Sequence, residues 1–100
     1  MFTEVIALLK EIETTDDYGD IVRTYSEREV FARLDRVYLR EAIEGEVKGL
    51  KPEKRFRIAD YYDYDDEEEL VFDGKKYNII NTQRIGTELE INCTGGVVYG

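Results

Sequence analysis

The chain of 100 residues carries 23 acidic side chains against 14 basic ones, a formal net charge of −9, with no His and a single Cys. That length predicts one domain spanning residues 1–100, able to bury about two thirds of its unfolded surface without staples. The lone Cys93 excludes an intramolecular disulfide, the missing His weighs against zinc and copper chemistry, and the acidity opposes independent binding to nucleic-acid phosphates. No apolar run reaches the length of a membrane span, and Glu4 and Lys10 around the first apolar stretch do not make a secretory signal. The expectation is an untargeted, cytoplasmic protein.

Eight Tyr and four Phe with only one Pro favour a strand-rich fold. In the first segment Val5, Leu8, Leu9 and Ile12 fit helical spacing, while Ile6, Leu8 and Ile12 fit an imperfect alternation; it is read as a strand. Thr14 to Asp20 has turn chemistry, with Asp side chains to bond nearby amides and Gly19 to accept positive φ, so Ile21 to Leu34 is its hairpin partner. There Val30, Ala32 and Leu34 alternate with Phe31, Arg33 and Asp35. From Tyr38 to Lys48 the period changes: Leu39, Ala42, Ile43, Val47 and Leu50 form one stripe, predicting a short α-helix near residues 38–48. Gly45 weakens that helix, Gly49 fits a left-handed stop, and Pro52 prevents its resumption.

Lys54 to Ile58 alternates again, with Phe56 and Ile58 inward and Arg55 and Arg57 on an ordinary exposed face. Asp60 to Glu69 reads as an acidic, Tyr-rich loop. Leu70 to Phe72, Asp73-Gly74 and Lys75 to Ile80 form the strongest local signal, a tight type I′ hairpin. Arg84 to Thr87 turns the chain into a last strand in which Leu89, Ile91 and Cys93 alternate with Glu88, Glu90 and Asn92. The fold class is mainly β: six short strands as a small barrel or folded antiparallel sheet, with the one helix inserted. The segment after Thr94 is expected to fray, although it is apolar enough to add a strand to a neighbour.

No arrangement of residues makes a catalytic site. The loop carboxylates Asp63, Asp65, Asp66, Glu67, Glu68 and Glu69 offer oxygen ligands but lack the spacing and central Gly of an EF-hand; they read as a solvated or partner-facing loop. Without a His to activate it, Cys93 reads as a buried structural thiol. Neither an enzyme nor a cofactor is expected.

The order of pieces resembles that of phage head-closure proteins, also called head-tail adaptors or stoppers, of long-tailed phages and prophages. The pieces are Asp17-Tyr18-Gly19-Asp20, Arg28-Glu29-Val30-Phe31-Ala32, Val37, Glu41, Gly49-Leu50-Lys51-Pro52-Glu53, Asp63-Tyr64, Asp73-Gly74-Lys75 and Tyr77-Asn78-Ile79-Ile80. Arg40, Ala42 and Gly45 depart from that pattern, where a polar cap, an aromatic and an Ala are usual. The resemblance implies a small β-barrel decorated by a short helix, assembled as a ring, commonly of about twelve copies, beneath the portal and its adaptor. Such a ring closes the filled capsid and docks the tail in the virion neck, after assembly in the bacterial cytoplasm. The implied partners are the portal-side adaptor, a tail-side protein and further copies of the chain, which is expected to be monomeric in isolation. DNA passes through without sequence-specific binding, and no membrane is involved.

On this reading Val37, Glu41, Gly49, Leu50, Lys51, Pro52, Glu53, Tyr61, Tyr62, Tyr64 and Tyr99 are candidate assembly contacts, and the acidic loop Asp63 to Glu69 is a candidate channel-facing segment. The alternatives are an acidic DNA-mimic inhibitor, which would need carboxylates spaced regularly over one face, and a small β-barrel binding module.

Overall fold

Alternation, turn chemistry and strand length together produce six antiparallel strands in the computed structural model, which describes residues 1–37 and 52–99. They are β1 (Glu4–Thr15), β2 (Ile21–Asp35), β3 (Lys54–Ile58), β4 (Glu69–Phe72), β5 (Lys75–Ile85) and β6 (Glu88–Val98), with one 3-10 turn at Tyr61–Asp63. The order β1-β2-β3-β6-β5-β4 closes on itself because β4 returns to β1, pairing Ala7 with Val71 and Leu8 with Leu70. The architecture is therefore a six-stranded antiparallel sheet drawn into a ring. Closure removes the free edges that an open sheet would expose along its flanks.

The interior follows from the period of two. Ile6, Leu8, Ala32, Phe56, Ile58, Leu70, Tyr77, Leu89, Ile91 and Cys93 converge in one cluster, and Phe72 packs edge-on to Phe56 with ring centroids 4.9 Å apart. A ring of this size has room only for side chains. Burial pushes the Cys93 thiol up to about 12, with Glu53 adding to the effect, which suits a structural thiol rather than a nucleophile.

Turn residues set the registers. Asp16 Oδ1 accepts hydrogen bonds from the Tyr18 and Asp20 amides at 2.9 Å each, and Gly19 takes φ +84°, so Thr15 faces Ile21 squarely. At the second hairpin Asp73 and Gly74 adopt φ of 51° and 73°, the two positive angles a type I′ turn needs. An extra residue in β6 at Gly95-Gly96, opposite Tyr77, and an extra residue in β5 at Ile80, opposite the step from Asn92 to Cys93, bend the two strands round the core.

Several expectations need correction. The strands are not uniformly short: β1 has 12 residues and β2 has 15. The chain does not fray after Thr94, because β6 continues to Val98 and pairs Val97 and Val98 with Lys76 and Lys75. Gly95-Gly96 marks packing instead of looseness: a Cβ on Gly96 would lie 2.6 Å from the Tyr77 ring, so only glycine lets that buried ring lie against β6. Leu34 occupies an inward position yet is 43% exposed, since it lies at the open end of the ring. No α-helix occurs among the described residues, and the helix expected near residues 38–48 lies outside them.

Candidate functional site

Three surface features arise from the way β1 and β2 outrun the ring. The first is a two-stranded arm. Pairing of β1 with β4 stops at Leu9 and pairing of β2 with β3 reaches back only to Ala32, whereas β1 and β2 stay paired out to Thr15 and Ile21. Residues 10–26 therefore project as a ribbon about 20 Å long, with no third strand beside it among the described residues. Ile12, Tyr18, Ile21, Val22 and Tyr25 are exposed on it, with Tyr18 91% and Ile21 68% accessible. Glu11 and Glu13 flank Arg23 at 3.6 and 3.2 Å.

The second feature is the acidic loop, which packs under the arm. Asp65 Oδ2 lies 2.9 Å from Lys10 Nζ, and this pair lowers the Asp65 carboxyl and raises the Lys10 ammonium from their usual ranges. Glu67 is folded inward, only 4% exposed, and pairs with Arg28 at 2.7 Å while its other oxygen accepts the Asp65 amide at 2.6 Å. Arg28 also donates to the Asp63 carbonyl. Tyr64 donates its hydroxyl proton to the Glu67 carbonyl at 2.7 Å, and burial, reinforced by Asp66, Glu67 and Glu68, pushes that phenol up to about 12. The expectation of a solvated loop is thus corrected for Glu67, and Glu69 belongs to β4, where it pairs with Lys76 at 3.2 Å. Asp66, Glu68 and Glu69 remain on the surface and, with Lys10, Glu11 and Glu13, line a cleft of about 250 Å³ between loop and arm. Among the described residues no group of three or more acidic or Cys side chains is placed to hold a metal ion.

The third feature is a grid of charge on the outside of β2, β3 and β6. Register puts Arg33 directly opposite Arg57, an arrangement that repels unless carboxylates intervene. They do: Asp35 accepts two hydrogen bonds from Arg33, at 2.6 and 3.2 Å, and lies 3.3 Å from Arg57, while Glu88 and Glu90 approach Arg57 at 3.3 and 3.6 Å. The Arg33 hydrogen bond, with Arg57 and Arg55 nearby, holds the Asp35 carboxyl below the usual range. Arg55 donates to Asn92 Oδ1 at 2.8 Å, and Asn92 passes a hydrogen bond to Asn81 at 2.7 Å. The expected ordinary exposed face is thereby corrected: the Arg55 and Arg57 side chains are 11% and 21% exposed and belong to a cross-strand network. Arginines and carboxylates line a shallow cleft of about 380 Å³ here, with Arg36 at its rim.

The candidate contact residues scatter among these features. Tyr61 packs on the core beneath Arg84, whose guanidinium sits 3.7 Å from its ring centroid, and Tyr62 is 76% exposed beside it. Tyr99 is 43% exposed, its amide donating to the Gly74 carbonyl at 2.9 Å. Val37 and Pro52 are half-buried, and Glu53 is exposed with its amide on the Cys93 carbonyl. Glu41, Gly49, Leu50 and Lys51 lie outside the described residues. Sequence reasoning missed the arm as a separate surface. The signal was present: fifteen residues of β2 are three times the five of β3, so among the described strands most of β2 is left to pair with β1 alone.

These features define a closed antiparallel β-ring protein with a projecting hairpin. No protein-family model matches the chain, and no curated protein is found to be similar to it.

Proposed function

We propose that this protein is a structural component of the head-tail connector of a long-tailed phage, a small β-barrel that assembles as a ring below the portal-side adaptor, closes the DNA-filled capsid and docks the tail. The observation that carries the reading is the arm. A ribbon bearing Tyr18, Ile21 and Tyr25 in water, on a domain whose other strands are closed into a ring, is a surface for protein contact. The ordered motifs from Asp17 to Ile80 support the same class. Acidity supports it too: a channel wall of this composition lets DNA pass without adhering.

The DNA-mimic alternative is less well supported. Glu11, Glu13, Asp65 and Glu67 are each set against Arg23, Lys10 or Arg28 and do not form an uncompensated array. The mechanism is mechanical and cooperative: contacts that are weak for one copy become strong when repeated around a ring. Electron microscopy of particles assembled without this protein provides the test. Filled heads that lose DNA and carry no tails are expected, and normal infectious particles would overturn the assignment.

A further inference from the structure

The molecule carries two incomplete β surfaces, at opposite ends of the ring along the strand direction. One is the arm, where the outer edge of β2 has no strand beside it, among the described residues, from Ile21 to Phe31. The other is the end of β6: β3 pairs with it only as far as Cys93, so Thr94 to Val98 has β5 on one side and no described strand on the other. Registers place these ends apart, since moving along β1 from Leu9 toward Glu4 moves along β4 from Glu69 toward Phe72 and so to Lys75 and Val98.

Each end shows what the other lacks. The arm exposes Ile21 and Tyr25 at 68% and 60%, and the β6 end exposes Val97 and Val98 at 56% and 86%. Glu11, Glu13, Asp16, Asp17 and Asp20 on the arm outnumber its bases Lys10 and Arg23, and Lys10 is already held by Asp65. The β6 end is uncharged from Thr94 to Tyr99 and lies beside the exposed Lys75, with Asp73 in the adjoining turn and the Glu53 carboxylate at Gly96. Beyond Gly96 the edge at Val97 and Val98 carries neither Pro nor charge, and such an edge accepts another strand. A two-stranded ribbon gains most from a third strand, being marginal alone in water. On β6 the Tyr99 amide points to β5, and the Gly96 amide points the other way, to Glu53 Oε2 at 3.4 Å. Alternation then turns the Val98 amide outward as an open donor.

We propose that the arm of one copy adds its β2 edge to the β6 end of a second copy, with Ile21 and Tyr25 extending one face of the joined sheet and Val22 the other, so that Val97 and Val98, which point to opposite faces of β6, each gain apolar neighbours, and with the arm's carboxylates near Lys75. The contact is heterologous, head to tail, and such contacts build rings or filaments instead of closed pairs. It rests on the ring reading above and names the surfaces that join its neighbours.

Two variants and their mixture decide it. Val98→Pro removes the outward amide and leaves the β5 ladder intact; Tyr25→Lys replaces an apolar side chain facing Glu11 with one that pairs with it. Sedimentation velocity of the full chain, monomeric when dilute, should show weak association of the wild type as its concentration approaches about 1 mM, an association that weakens with salt, and each variant alone should associate at least about tenfold more weakly. An equimolar mixture, in which one variant keeps the arm and the other keeps the β6 end, should give a one-to-one heterodimer. A wild type that stays monomeric, a variant that associates as well as the wild type, or a mixture without heterodimer would each overturn the proposal. Those results leave the neck assignment to the particle experiment, which does not depend on which surfaces meet.

Discussion

At the level of single residues, most of the energetic risk sits where charge has been taken out of water. Glu67 is the clearest case, because its 4% exposure leaves Arg28 and the Asp65 amide to replace solvent. Arg28→Met strands that carboxylate, and a loss of roughly 2 kcal/mol is expected, read as a lower denaturation midpoint at unchanged m-value. Adding Glu67→Gln should recover part of it; a double variant no more stable than the single one would show that the pair is not coupled. Asp35 carries a pH signature. Its folded carboxyl lies below the ordinary value of 3.8, so the unfolded chain binds the proton first as pH falls. The stability it contributes is present above about pH 4 and is lost as pH drops through its folded value. Thermal midpoints of the wild type should fall more steeply below pH 4 than those of Asp35→Asn, and parallel curves would remove Asp35 from the acid transition. Pairing of this kind was only half legible: alternation put Arg55 and Arg57 on the outer face, but which carboxylates lie across from them depends on register.

At the level of elements, local chemistry fixed the hairpins and long-range contact fixed their extent. Asp73-Gly74 and the Asp16-to-Asp20 loop could be placed because positive φ and Asx bonding are properties of a few adjacent residues. The end of β6 could not, because Gly95-Gly96 has the composition of a loose terminus and its role depends on the Tyr77 ring from the neighbouring strand. The two kinds of glycine should separate experimentally. Gly96→Ala drives a Cβ to within 2.6 Å of a buried ring and should cost about 1–3 kcal/mol. Gly19→Ala meets nothing within 4 Å and should cost only about 1 kcal/mol, from its φ of +84°. Equal losses in thermal or chemical unfolding would mean that the ring moves aside freely. The arm should also differ from the ring in dynamics. Its amides lie in a ribbon with no third strand among the described residues, so hydrogen exchange at residues 10–26 should proceed through local opening, while Phe56 and Ile91 exchange only on global unfolding. Uniform protection in dilute solution would contradict that picture.

At the level of the whole molecule, a closed ring of strands carries a ribbon that has no third strand beside it among the described residues, and the proposed assembly role rests on that ribbon. The sequence by itself determined the class of fold, the hairpins at Gly19 and Asp73-Gly74, the inward positions Phe56, Ile58, Leu89, Ile91 and Cys93 and the acidic excess, because periodicity, turn chemistry and charge are carried by residues near one another in the chain. Tertiary structure alone decided that β4 closes on β1, that Glu69 leaves the loop for a strand while Glu67 is buried against Arg28, and that residues 10–26 stand clear of the ring. Each of those depends on partners tens of residues away: Leu8 meets Leu70 and Arg28 meets Glu67 only once the register between distant strands is set. Alternation specifies which face of a strand is buried, but not where along its length the neighbouring strand ends.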